Sequence, residues 1–448
     1  MTTKPARGPA DLFRSDLPLL TAHPQREALH NEVHARPYER LAAPLALSHI
    51  ALVSCDDERA RAHLATLLRN RHLALPATDA NHLSVDLGGL HLRWEKHTEF
   101  HTCTFWKRLH DAPEGFEATA LADVPQEWLA AMPGEWLVGL HLLVRSESMP
   151  DARPAVQQLV RRTLLEDTLV GGCVMGGGAE VYTDLHLGAD GFTRFIVIDR
   201  GMSPRRLGRG VQRLLEVETY RMMALLGLPM AREVGASLQH AERDLANVAE
   251  QIRSAQRQQE PELLRQLTQL AGQVESLYAR THARFSASGA YFELVQRRID
   301  ELREERLENL QTLGEFMERR LAPAMQTCLW AARRQQALSE RISRTSNLLR
   351  TRVEIEQQQS SQDLLDAMNR RQRAQVMLQS AVEGLSVAAV TYYGAGLVGY
   401  VAKGAKQSGV PVSPDVAVAV AIPVIALAVW WGIRRLHKQV HAAAESSG

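Results

Sequence analysis

Residues Leu385–Ala402, LSVAAVTYYGAGLVGYVA, and Val416–Ile433, VAVAVAIPVIALAVWWGI, are two uncharged apolar runs of about 18 residues each. A helix needs about 20 apolar residues to cross the hydrocarbon core of a bilayer. A short polar link, Lys403–Asp415, carries Gly and Pro between them. The spacing predicts a transmembrane hairpin, the alternative being a buried helix pair in a water-soluble domain. Arg434, Arg435 and Lys438 close the second run, with Trp430 and Trp431 at its edge. Charged anchors and interfacial aromatics are marks of a membrane boundary.

The flanks set an orientation. Arg370, Arg371 and Arg373 precede the first run, and the link holds Lys403 and Lys406 against Asp415. The basic excess on the outer flanks places both chain ends on the cytoplasmic side. Met1–Pro24 is charged and Pro-bearing without an apolar core, so no signal peptide is expected. The chain of 448 residues has a formal net charge of +1, which argues against a nucleic-acid partner. Cys55, Cys103, Cys173 and Cys328 are scattered, and read as reduced thiols rather than a disulfide or zinc framework.

Upstream of the first run, residues 324–380 contain neither Pro nor Gly. They predict a stalk helix with an early apolar seam (Leu338, Ile342, Leu349) that turns polar over Glu354–Asp363. Such a helix needs packing partners. Before it, Gly208–Leu226 is expected to be a helix broken by Pro229. Met230–Arg257 and Glu262–Arg284 read as an antiparallel pair turning near Pro261, and Tyr291–Leu321 as a further helix ending or kinking at Pro323.

The first 200 residues mix strands and short helices. Leu45–Ser54, Trp136–Arg145 and Phe192–Ile198 read as strands, and Glu58–Asn70 and Asp151–Asp167 as helices. Leu90–Trp106 alternates, and a period of two puts Glu95, His97, Glu99 and His101 on one face. That row is a candidate surface for a divalent cation, the one cofactor the sequence suggests, or else the solvent side of an antiparallel sheet. His23, His30 and His34 with Glu32, in Leu20–Leu41, pose a similar choice between a metal site and an amphipathic docking helix. The glycines of Gly171–Asp184 lack the Lys-Ser/Thr of a phosphate loop and read as a strand-linking loop. No nucleophile–base set stands at a recognisable spacing, so an enzyme is not expected.

The fold class expected is an α+β cytosolic domain followed by long antiparallel helices, a stalk helix and a C-terminal two-helix transmembrane hairpin. The boundaries are a loose tail 1–15, the α/β domain 16–204, the helical domain 205–322, the stalk 323–383, the hairpin 384–436 and a cytoplasmic tail 437–448.

The segments LTAHPQREALHNEVHARPYERL (Leu20–Leu41) and AVEGLSVAAVTYYGAGLVGYVAKG (Ala381–Gly404) resemble those of a bacterial family of uncharacterised membrane-anchored proteins. The element order is also similar to that of CorA-type magnesium channels, homopentamers whose first span lines the pore. Asn347–Asn369 resembles the stalk end of those channels. Their first span ends in Tyr-Gly-Met-Asn, where this chain has Tyr393, Gly394, Ala395 and Gly396. The resemblance implies a CorA-like cation channel or transporter in the bacterial inner membrane, a homo-oligomer, with Glu383, Ser386, Thr391, Tyr393, Gly394 and Gly396 on the pore side. Gly396 lacks the side-chain oxygen of the family's Asn, so selectivity for magnesium does not carry over. This alignment starts the first span near Val376 and places Glu383 inside the membrane, whereas the apolar run places Glu383 at the interface. Gly384, Gly394, Gly396 and Gly399 suit close helix packing, within the hairpin or between copies. The alternative function is a non-conducting membrane-anchored scaffold or sensor, and an enzyme tethered to the membrane is the third.

Overall fold

The computed structural model describes residues 23–26, 29–30, 37–77, 80–110, 115–146, 152–407, 411 and 413–445. Two compact units divide the chain: Met1–Glu250 with Gln266–Arg344, and Gln251–Arg265 with Thr345–Gly448.

The first unit is built on a nine-stranded sheet. Its strands are β1 (Leu45–Val53), β2 (His82–Asp86), β3 (Leu90–Lys96), β4 (Phe100–Arg108), β5 (Glu135–Ser146), β6 (Val170–Val174), β7 (Ala179–Thr183), β8 (Thr193–Asp199) and β9 (Glu305–Arg306). The spatial order is β2-β3-β4-β1-β5-β8-β7-β6-β9. Neighbours run antiparallel except β5 and β8, which run parallel. The helices of this unit and those that follow are α1 (Asp57–Asn70), α2 (Gln126–Ala130), α3 (Ala152–Thr163), α4 (Pro204–Leu225), α5 (Gly227–Ser254), α6 (Glu260–Leu302), α7 (Leu313–Gln407) and α8 (Pro414–Glu445).

Both faces of the sheet are covered, which fits strands that are apolar almost throughout. On one face, Leu45 and Leu47 of β1, with Leu140, Leu142 and Val144 of β5, pack against Leu207, Val211 and Leu214 of α4. Val295 of α6 and Met317 and Leu321 of α7 complete this core. On the other face, Ile50, Leu52, Leu92, Trp94 and Phe105 meet Leu64, Leu67 and Leu68 of α1 and Trp128 of α2. The α/β and helical domains expected as separate bodies at residues 16–204 and 205–322 therefore share one core.

Several expected boundaries are corrected. Gly171–Asp184 is mostly a hairpin of β6 and β7, not a loop. Met175, Gly176 and Gly177 turn it with φ of 59°, 62° and 76°, and two consecutive glycines supply that left-handed backbone with little strain. The helices expected at 262–284 and 291–321 are divided elsewhere. Helix α6 runs unbroken to Leu302, and its buried Ser288 lies close against Gly227, where a Cβ would meet the Ser288 hydroxyl at 2.6 Å. The real break is at residues 303–312, where Arg303 and Asn309 have positive φ. Thr312 and Glu315 form a reciprocal cap there: the Thr312 hydroxyl accepts from the Glu315 amide (3.1 Å) and the Glu315 carboxylate from the Thr312 amide (3.0 Å). The stalk helix thus starts at Leu313, and Pro323 lies inside it. Pro323 is exposed, so the carbonyl that loses its amide partner can bond water instead. Asp151–Asp167 is shorter than expected, with α3 ending at Thr163 and a 3-10 turn at Glu166–Thr168.

Leu338 and Ile342 are buried, as the seam required, and so is Leu349. Thr281 and Gln335 share a buried hydrogen bond of 3.1 Å between α6 and α7, and Arg334 donates to Glu242 of α5 at 2.6 Å. In the second unit, Arg352 of α7 approaches the buried Glu260 at 2.7 Å. The tail at 1–15 lies outside the described residues, as do His34 and Glu32 of the N-terminal histidine group.

Candidate functional site

Helices α7 and α8 are both long and apolar enough to cross a membrane, with mean hydropathies of 1.4 and 2.4 in their best 18-residue windows. Their apolar runs lie antiparallel. A Cβ placed on Gly394 would sit 3.1 Å from Ile425, and one on Gly399 would sit 3.0 Å from Val418. This match sets Leu385–Ala402 level with Val416–Ile433 and brings Glu383 level with Arg435. Helix α7 continues unbroken upstream of Glu383, and α8 continues past Arg435 to Glu445.

Two faces of α7 follow. Thr391, Gly394, Ala395, Val398 and Ala402, half-buried or buried, recur at helical spacing toward α8. Ser386, Tyr393, Gly396 and Tyr400 lie on the opposite, exposed face, where Tyr393 is 75% and Tyr400 78% exposed. The glycines divide accordingly: Gly394 and Gly399 meet α8, while Gly384 and Gly396 have nothing within 4 Å of a would-be Cβ. The structure thus splits the six pore-side residues, Thr391 and Gly394 turning inward to the hairpin and Ser386, Tyr393 and Gly396 away from it. The Ser386 and Thr391 hydroxyls donate to the carbonyls of Val382 (2.8 Å) and Val387 (2.7 Å) one turn back, and Gln379 donates to Glu383 at 3.4 Å. Gly396 lies within an unbroken helix, so its carbonyl is committed to the helix ladder. On α8, the Arg434 and Arg435 guanidinium groups cover the Trp430 and Trp431 rings at 4.2 and 5.2 Å.

Gly394→Leu is expected to force these helices apart, at a cost of about 1–3 kcal/mol. Disulfide cross-linking of a Gly399→Cys/Val418→Cys pair measures it. The yield should fall with Gly394→Leu and stay unchanged with Gly396→Leu.

The histidine row is corrected. Residues 97–99 form the turn between β3 and β4, and the turn breaks the alternation. Glu95 lies on the α4 side of the sheet and His101 on the α1 side. His97 stacks on Phe100 with ring centres 4.2 Å apart, and Glu99 accepts from Arg284 at 3.0 Å. His101 lies 3.1 Å from Asp57. Among the described residues, no group of three or more His, Cys, Asp or Glu is placed to hold a metal ion. The four cysteines are free thiols.

A family profile described as Protein of unknown function (DUF3422) matches residues 21–440. The chain belongs to this family. No curated protein matches it. Among solved structures, the full-length CmaX protein aligns over 67% of this DUF3422 chain and 89% of its own length. Identity is 13% and the TM-score 0.19, too low to transfer a fold or a function.

What sequence reading missed in this DUF3422 protein is a polar inlay between the sheet and α4. Arg93 and Glu95 form a buried ion pair of 2.8 Å, and Arg93 also donates to the Pro37 carbonyl at 2.8 Å. Burial pushes the Glu95 carboxyl up, but the Arg93 hydrogen bond and charge outweigh it, and the group ends below its usual value. Beside it, His49 bridges Thr104 (2.7 Å) and Thr219 (3.0 Å). Thr219 donates its hydroxyl proton to the Leu215 carbonyl, so it accepts from His49 Nε2–H, which leaves Nδ1 to accept from Thr104. Burial drives His49 down to about 4. The sequence signal was faint: polar residues at alternate positions of β3 and β4 that look solvent-facing until α4 covers them.

Proposed function

We propose that the protein is a homo-oligomer of the bacterial inner membrane, with CorA-like architecture, that conducts a cation along an axis bounded by α7. Its α/β unit and both chain ends face the cytoplasm. The observation that supports this is the face of α7 turned away from α8. Tyr393 and Tyr400 carry exposed hydroxyls on it, while Ser386 donates its own to the Val382 carbonyl, and bare Gly396 lies among them. Polar groups at membrane depth are better placed against water or another helix than against lipid. Further copies of α7 around an axis, as in a pentamer, meet that requirement. With the span drawn at Leu385–Ala402, Glu383 then marks the cytoplasmic mouth, where a carboxylate attracts cations. Without the Asn of magnesium channels, and with the Gly396 carbonyl engaged, the path discriminates weakly among hydrated cations.

A second reading, a non-conducting scaffold or sensor, is favoured by the absence of any Asp, Glu, Lys or Arg within Leu385–Ala402. Cation flux into liposomes separates the two. Conduction above that of empty liposomes, reduced several-fold by Glu383→Ala and Tyr393→Ala, supports the channel. Flux equal to that of empty liposomes supports the scaffold.

A further inference from the structure

Pro423 lies inside α8, with helix on both sides of it. A proline has no amide proton, so the carbonyl of Ala419, one turn back, loses its helical partner. At Pro323 water can take that place. Once the run Val416–Ile433 lies in lipid, water cannot, and a bare carbonyl in hydrocarbon is strongly disfavoured. Among the described residues, the hairpin supplies no donor of its own at that point. Residues 416–429 are only Val, Ala, Ile, Leu and Pro, and Trp430 stands about 16 Å further along the helix. On the facing side of α7, the Thr391 hydroxyl already donates to the Val387 carbonyl. Ala419 and Pro423 are both exposed, while Val418 and Ile425 meet α7.

A donor stands at the same depth, facing the other way. Gly399 packs on Val418, which sets Tyr400 and Ala419 within about 3 Å of one level. Tyr400 is 78% exposed, on the face of α7 turned from the α8 of its own chain. Helical side chains lean toward the N-terminus, and helical carbonyls point toward the C-terminus. Because α7 and α8 are antiparallel, both directions lead away from the link and into the same layer of the hairpin. Tyr393 begins about 10 Å beyond that layer and leans further from it. The Tyr400 hydroxyl and the Ala419 carbonyl thus share a level and cannot satisfy each other within one chain, whereas two copies lying side by side bring them together.

We propose that neighbouring copies join through a hydrogen bond from the Tyr400 hydroxyl of one to the Ala419 carbonyl of the next, the outer face of α7 docking on the Pro423 flank of α8. Of the two surroundings open to that face, water or another helix, Tyr400 takes the second. Such a contact is head-to-tail, so it repeats from copy to copy around a ring. The inference rests on the membrane homo-oligomer proposed above and is independent of conduction. Two experiments on the full chain in lipid nanodiscs test it. Chains with Tyr400→Cys and chains with Ala419→Cys, reconstituted together and treated with a short bis-maleimide, should give linked pairs that neither variant gives alone. Tyr400→Phe should loosen subunit association about threefold per contact. In Pro423→Ala, where an amide again serves the Ala419 carbonyl, Tyr400→Phe should have no further effect. A multi-copy assembly without the 400–419 link, or with Tyr400→Phe acting equally in both backgrounds, would overturn this contact and leave the homo-oligomer standing. A monomer in lipid would overturn both.

Discussion

Arg93→Ala should destabilise the α/β unit by about 3–5 kcal/mol, because it strands the Glu95 carboxylate in a buried site. Arg93 is 3% exposed, and its guanidinium serves Glu95, the Pro37 carbonyl and, at 3.8 Å, Glu39. Removing it leaves one buried charge and one backbone acceptor unpaired. The double variant Arg93→Met/Glu95→Leu should recover most of the loss, since a buried ion pair exchanged for apolar side chains of similar volume is often near neutral. Urea unfolding followed by tryptophan fluorescence measures both, as Trp94 and Trp106 lie in the same sheet. A single variant as stable as the parent would show that the pair holds nothing in place.

Stability should also fall steeply between pH 6.5 and 4. His49 and His141 are both driven from an ordinary 6.5 down to about 4. Burial is the main cause in each case, opposed at His141 by Asp190 and reinforced there by Arg194. Their folded values lie below their unfolded ones, so the unfolded chain binds more protons in this window. The contribution is therefore complete above pH 6.5 and is lost as pH falls through about 4. A shift of this size corresponds to about 3 kcal/mol for each histidine. The His141 ring is held by Ser48 at 2.8 Å and stacks on Phe192 with ring centres 4.1 Å apart, which leaves little room to hydrate an imidazolium. Unfolding at pH 7.5, 5.5 and 4.5 should show this slope, and His49→Gln should remove roughly half of it. A flat profile would mean that both rings take up a proton as readily in the folded chain as in the unfolded one.

The distance between what could be read in the chain and what is there has physical causes. The apolar seam of α7, the two apolar helical runs at 385–402 and 416–433 and most strands carry period and composition in consecutive residues, and each was legible. Residues 97–99 were not, because a short turn inside an alternating run changes which face the later residues occupy without interrupting the pattern. Pro323 misled for a related reason. A proline ends a helix only where the lost hydrogen bond cannot be replaced, and exposure is a tertiary property. The Thr312–Glu315 cap did have a local signature, but it stood inside the stretch Tyr291–Leu321 that reads as one helix. The polar inlay joins β1, β3, β4 and α4. Pairings of that sequence separation leave no periodic trace.

Among the site residues, sequence selected the correct helix but not its faces. Thr391 and Gly394 look the same as Ser386 and Gly396 until α8 is laid against one side. The two glycines that touch α8 account for its register, and Gly396 is left as a small surface with nothing within 4 Å of a would-be Cβ among the described residues.

The mass of the assembly in lipid nanodiscs tests the central claim most directly. Native mass spectrometry should find the chain incorporated in lipid as a closed ring of several copies, five if the CorA-like layout holds. A nanodisc-bound monomer or dimer, or a chain that stays out of lipid altogether, would contradict it.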